Sequence, residues 1–72
     1  MTRLPVVSGV EFVRAMEKIG YTWLHTKGSH MILVHETRVR LSVPRHRELD
    51  RGLLRRLIRD SGLSVAEFVE LL

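Results

Sequence analysis

Apolar residues recur every three or four positions near both ends of the chain and every second position in its centre. The first spacing places them on one face of an α-helix, and the second places them on one face of a β-strand. The sequence therefore predicts a helix, three strands and two further helices, in that order. Because the connections between the strands are short, we expect an antiparallel meander.

The first predicted helix runs from about Gly9 to Ile19. Ser8 can cap its amino end, and Glu11 three residues later completes a capping box. Gly20 stands where a left-handed glycine commonly ends a helix. The apolar stripe is formed by Phe12, Val13, Met16 and Ile19.

Three strands are predicted between residues 21 and 44. The first, Tyr21–Thr26, is rich in β-branched and aromatic residues, and Lys27-Gly28 supplies a turn. The second runs from His30 to His35, and Glu36-Thr37 is short enough for a tight hairpin. The third alternates apolar and polar residues over Val39–Val43 and ends at Pro44.

The second predicted strand is apolar on both faces, which is typical of a central strand covered on both sides or exposed to a partner. At its start, Gly28 lets the backbone come close to a ligand, and Ser29 adds a hydroxyl group. Period-two alternation places His30, Ile32 and Val34 on one face and Met31, Leu33 and His35 on the other.

Two helices are predicted after the sheet. Asp50 can cap the first, and Ser61-Gly62-Leu63 is typical of a Schellman ending. Ser64 and Glu67 form a second capping box, which opens the last helix. Helices on one face of a three-stranded antiparallel sheet make an α+β fold, and 72 residues suffice for a single domain over 1–72. The residues predicted to face the core are Leu53, Leu54, Leu57 and Ile58 in one helix and Val65, Phe68, Leu71 and Leu72 in the other.

Positive charge is concentrated in the centre of the chain. Residues 27–59 include nine basic and three acidic residues, a net +6, whereas residues 60–72 have a net charge of −3. Ten of the 12 basic residues are arginine, which suits bidentate contact with phosphate. This distribution predicts a polyanionic partner, most simply nucleic acid, although a surface that only confers solubility accounts for it equally well.

The residue types exclude or disfavour several kinds of site. The chain has no cysteine, so it has neither disulfides nor zinc–thiolate sites. His25, His30 and His35 are evenly spaced, but five-residue steps are expected to turn alternate histidines to opposite faces, and no acidic cluster completes a metal site. The longest apolar run, Met31–Val34, is too short for a membrane span, and no leader is evident. We therefore expect a cytoplasmic protein with no metal or other cofactor.

Phosphodiester cleavage of RNA is the chemistry that the remaining residues fit best. RNA supplies its own nucleophile, the 2′-hydroxyl, so the protein need only move protons and stabilise charge. His30 can transfer a proton near neutral pH, with Lys27 nearby and Arg45 or His46 arriving from the end of the third strand. The alternative is that His30 only forms a hydrogen bond at a strand end.

Arg51, Arg55 and Arg59 recur every four residues along the second helix and form a positive stripe. Such a stripe can lie along a phosphate backbone, or it can be the solvated side of an ordinary helix. Tyr21 and Trp23 are also open to two interpretations, because they can stack on bases or belong to the core.

The motifs occur in an order that resembles a known family. The segments "GYTWLHTKGSHMIL", "VPRH" and "LDRGLLRRLIRDSGLSVAEFVELL" are similar to the HicA toxins of bacterial and archaeal toxin–antitoxin pairs. The resemblance runs from the first helix to the last residue, and the ordered set is specific although each motif alone is weak. The chain has Met31 and His25 where the family often has a second histidine and an arginine.

The resemblance implies a fold like that of double-stranded-RNA-binding domains and ribonuclease activity on mRNA, for which the residue types suggest no need of a metal. It implies that His30 is catalytic, that Gly28 and Ser29 shape the site, and that His46 has a supporting role. It also implies a HicB antitoxin that covers the active face in a hetero-oligomeric complex. Two alternatives remain: a non-catalytic RNA-binding module that uses the arginine stripe, and a domain whose basic face binds an acidic protein.

Overall fold

The computed structural model describes residues 2–72, and the predicted α+β class and element order are confirmed. The fold is that of the double-stranded-RNA-binding type, with α1 and α2 packed against a three-stranded sheet. The elements are α1 (Gly9–Glu17), β1 (Thr22–Lys27), β2 (His30–Val34), β3 (Leu41–Pro44), α2 (Arg51–Asp60) and α3 (Val65–Glu70).

The sheet is antiparallel in the order β1-β2-β3, so β2 is the central strand as predicted. Met31 and Leu33 are fully buried, because their face of β2 is the one covered by the helices. His30 and Ile32 belong to the opposite face by the period-two alternation of a strand. We call that side of the sheet the open face. By contrast, every residue of β1 is exposed.

The core lies between the helices and the strands β2 and β3. Phe12 of α1 and Phe68 of α3 are both fully buried, with their ring centroids 5.3 Å apart. The short helix α3 therefore contributes a large apolar side chain to the centre of the molecule. Leu72 was expected to be buried with Phe68 but is 52% exposed, because it lies beyond the end of α3.

The helix ends follow their local sequence signals. Both capping boxes form. The backbone N–H of Ser8 donates to the carboxylate of Glu11, and that of Ser64 donates to the carboxylate of Glu67, each at a distance of 2.8 Å. These hydrogen bonds lower the pKa of both carboxyl groups, since they favour the charged form. The Schellman ending predicted for α2 also forms, with the Leu63 N–H donating to the Ile58 carbonyl at 3.3 Å.

The tight hairpin predicted at Glu36-Thr37 is wrong. β2 ends at Val34 and β3 begins at Leu41, so the connection is longer, and Val39 is 57% exposed rather than part of a strand. Neither central residue of the predicted turn favours the positive φ that a two-residue hairpin needs.

His35 organises this longer connection. Its Nδ1 accepts hydrogen bonds from the backbone N–H groups of Thr37 (3.1 Å) and Arg38 (3.2 Å). Since Nδ1 is an acceptor, Nε2 has the proton and donates to the Ile19 carbonyl at 2.8 Å. The ring also packs edge-on against Tyr21, with 4.9 Å between ring centroids. One imidazole therefore joins the end of α1 to the β2–β3 connection.

Replacing His35 with alanine should lower the free energy of unfolding by about 2 kcal/mol, because it removes the hydrogen bonds of both ring nitrogens at a partly buried site. The measurement is urea-induced unfolding followed by circular dichroism. His46→Ala is the matched control, since His46 is exposed, and it should change stability by less than about 0.5 kcal/mol. Equal effects of the two substitutions would contradict the role assigned to His35.

Candidate active site

The β1–β2 connection is a two-residue turn. Lys27 pairs with His30, so Gly28 and Ser29 are the two central residues. Gly28 has φ +60° and Ser29 has a negative φ, which is the φ pattern of a type II′ turn with glycine at its first central position. The turn requires glycine at position 28, because other residues rarely adopt this backbone conformation.

His30 stands at the start of β2 and is exposed. It pairs with Lys27 on β1 and with Pro44 on β3. The backbone N–H of Arg45 donates to the carbonyl of Ser29 at 2.7 Å. The turn, the catalytic candidate His30 and the end of β3 therefore meet at one corner of the sheet.

His46 is tied to the amino end of α1 through its backbone. Its carbonyl accepts a hydrogen bond from the Gly9 N–H at 2.9 Å. Gly9 packs so closely here that a Cβ atom added to it would collide with the carbonyl oxygen of Pro44. This contact fixes the end of β3 against the amino end of α1, while the His46 side chain itself is exposed.

β1 contains a β-bulge at Leu24. Trp23 pairs with Leu33 and His25 pairs with Ile32, so Leu24 has no partner on β2. His25 and its neighbour Ile32 share the open face with His30. The expectation that alternate histidines lie on opposite faces is therefore wrong for His25 and His30.

The two aromatic residues near the first strand have different roles. Tyr21 belongs to the core, and its hydroxyl donates to the carbonyl of Val39 at 2.7 Å. Burial raises the pKa of this phenol. Trp23 is 38% exposed on β1, and its indole N–H donates to the Thr26 hydroxyl at 3.1 Å. Only Trp23 has a ring surface available to a ligand.

Three arginines of α2 form the predicted RNA-binding stripe. Arg51, Arg55 and Arg59 are all exposed. Arg51 and Arg55 line a groove between α2 and the N-terminal segment, and Arg3 is on the other side of it. The sequence did not indicate Arg3, because its position depends on a hydrogen bond from the Leu49 N–H to the Val7 carbonyl (2.8 Å).

Among residues 2–72, no three histidine, aspartate or glutamate side chains come together in a way that could hold a metal ion. No helix in that range is both long and apolar enough to cross a membrane.

Comparison with known proteins identifies the family. A search of curated proteins finds no match. The family described as "HicA toxin of bacterial toxin-antitoxin" matches residues 9–63, which include α1, the whole sheet, α2 and the turn with His30. The match covers well over half of the 72 residues, and the chain therefore belongs to the HicA family of toxins from bacterial toxin–antitoxin systems.

Proposed function

We propose that this toxin is a metal-independent endoribonuclease that cleaves mRNA, with His30 as the residue that transfers a proton. The observation that supports this most directly is the corner formed by the turn. An exposed imidazole stands there directly opposite Lys27, and the backbone of Arg45 is bound to the turn. Membership of a toxin family is consistent with an activity that harms the cell.

The chemistry needs few groups because the substrate brings its own nucleophile. A base removes the proton of the 2′-hydroxyl, the 2′-oxygen attacks the adjacent phosphorus, and the bond to the 5′-oxygen breaks. An acid returns a proton to that oxygen, which leaves a 2′,3′-cyclic phosphate and a 5′-hydroxyl. The role proposed for Lys27, which pairs with His30, is to stabilise charge that develops on the phosphate oxygens.

The arginines provide sites for the rest of the RNA chain. Arg45 follows β3 at the active corner, and the groove beside α2 presents the guanidinium groups of Arg3, Arg51 and Arg55. Guanidinium groups bind phosphates in bidentate fashion and suit a contact that does not depend on base sequence. Arg59 extends the same stripe by a further turn of the helix.

A HicB-type antitoxin is the proposed partner, and the cytoplasm, where mRNA is translated, is the proposed compartment. Leu24, at the bulge of β1, is 54% exposed, and Trp23 beside it is 38% exposed. Exposed apolar side chains of this size are typical of surfaces that a protein covers. A partner bound along β1 would form a hetero-oligomeric complex, and a partner that also extends over the open face would block access to His30.

The alternative function is a non-catalytic RNA-binding module. The groove between α2 and the N-terminal segment favours it, because this groove can bind phosphates without any contribution from His30. Binding without cleavage is the property that separates the module from the nuclease.

The test uses the purified full chain with a long, unstructured RNA in excess EDTA, beside a DNA of the same sequence. We expect the RNA to be cut and the DNA to remain intact, with RNA products that end in 2′,3′-cyclic phosphate and 5′-hydroxyl groups. Cleavage of the DNA, or cleavage that stops in EDTA, would contradict the proposed mechanism. Retention of RNA without any cutting would favour the binding module.

A further inference from the structure

We propose that His25 is a second catalytic residue, which shares the two proton transfers of RNA cleavage with His30. The inference rests on the proposed nuclease function. It arises from the pairing of β1 with β2, which places both imidazoles on the open face of the sheet.

The bulge at Leu24 is the cause of this placement. Trp23 is opposite Leu33, so an uninterrupted ladder would put Leu24 opposite Ile32 and His25 opposite Met31. His25 would then be on the face that the helices cover. The extra residue shifts the register by one, and His25 is instead opposite Ile32 on the open face. Bulges commonly redirect a side chain in this way beside active sites.

The separations expected from the pairing suit a single phosphate. Side chains directly opposite one another have Cβ atoms about 5 Å apart, which applies to Lys27 and His30. Diagonal neighbours are about 7–8 Å apart, which applies to His25 and His30. Two imidazoles at this distance can approach the 2′-oxygen and the 5′-oxygen from opposite sides of the phosphate, with Lys27 beside His30.

The chemical requirement is for one base and one acid in the same turnover. One imidazole, initially neutral, takes the proton of the 2′-hydroxyl as the bond from the 2′-oxygen to phosphorus forms. The other, initially protonated, gives its proton to the 5′-oxygen as the bond from phosphorus to that oxygen breaks. The protons balance, and the two histidines end the step with their charges exchanged. A single histidine would have to perform both transfers.

The groups around the two imidazoles fit this assignment. Lys27 lies on the same strand as His25, and Arg45 follows the end of β3 beside the turn. Ser42 and Pro44 pair with Ile32 and His30 and are uncharged. The helices pack on the other face of the sheet, where Met31 and Leu33 of β2 are fully buried. The charged groups near the phosphate are therefore cations, which favour an anionic substrate.

The experiment is the pH dependence of kcat/KM for cleavage of the long, unstructured RNA in EDTA. The wild-type profile should be bell-shaped, with one limb for the neutral imidazole and one for the protonated imidazole. His25→Gln should lower kcat/KM by about 10²–10⁴-fold and remove one limb. The matched control is Thr22→Gln, an exposed position at the far end of the same strand and face, which should leave the profile unchanged.

A second substrate assigns the role of His25. An RNA with sulfur in place of the 5′-oxygen at the cleaved position has a leaving group that needs no acid. If His25 is the acid, His25→Gln should cut this substrate at nearly the wild-type rate. If His25 is the base, the deficit should persist.

The results distinguish failure of this inference from failure of the proposed function. A His25→Gln protein with the wild-type rate and both limbs, beside an inactive His30→Ala protein, would overturn only the role of His25. The role of His25 would also be overturned if His25→Gln kept both limbs of the pH profile and lowered kcat/KM no more than Thr22→Gln does. Absence of cleavage by the wild-type protein would overturn the nuclease and the role of His25 together.

Discussion

Replacing His30 with alanine should lower the rate constant of RNA cleavage by about 10²–10⁴-fold, the contribution typical of a positioned acid or base. The side chain is exposed at the start of β2, so its removal leaves no cavity in the core. The fold and the binding of RNA should therefore persist. The measurement is single-turnover cleavage in EDTA, with circular dichroism to verify folding and fluorescence anisotropy to follow binding.

The matched control for His30→Ala is Val39→Ala, which also shortens an exposed side chain but lies in the β2–β3 connection. It should cut RNA at the wild-type rate. Induced expression in bacteria provides a second readout, because only the control should still arrest growth. Cleavage by the His30→Ala protein at the wild-type rate would mean that another group performs the chemistry.

Replacing Phe68 with alanine should cost about 3–5 kcal/mol of stability, the range for removal of a fully buried phenylalanine. The whole chain of 72 residues is expected to have roughly 4–11 kcal/mol, at 0.05–0.15 kcal/mol per residue. Much of the native stability therefore depends on one residue of a short helix. That helix lies outside the segment that matches the family, which ends at residue 63.

Thermal unfolding of the full chain tests this prediction. Phe68→Ala should lower Tm by at least about 12 °C, since 1 kcal/mol corresponds to 4–8 °C in a domain of this size. Val69→Ala is the matched control in the same helix, because Val69 is only half-buried, and it should change stability by less than about 1 kcal/mol. Similar shifts for the two variants would show that α3 is not part of the stabilising core.

Local signals explain why most of the fold could be predicted. Ser8 and Glu11 form a capping box through contacts with each other alone, so a segment of four residues is enough to predict it. The β2–β3 connection could not be predicted in the same way. Its conformation depends on His35, which is bonded to the carbonyl of Ile19 at the end of α1, a residue distant in sequence.

The same distinction applies to the candidate site: some of its geometry follows from local sequence, and the rest depends on more distant residues. Gly28, Ser29 and His30 are consecutive, so the two-residue turn alone is enough to bring them together. The position of His25 relative to His30 depends on the bulge at Leu24, which no pattern of apolar residues revealed. Arg3 reaches its groove only because the segment before α1 is bonded to the residues before α2.

The contact between Phe12 and Phe68 has a consequence for the synthesis of the toxin. The two rings come from helices near opposite ends of the chain, yet each fills space beside the other. While the protein is being made, α1 lacks this partner until α3 has left the ribosome. Because contacts between distant segments form late, we expect the chain to reach its native packing only after translation has passed Phe68.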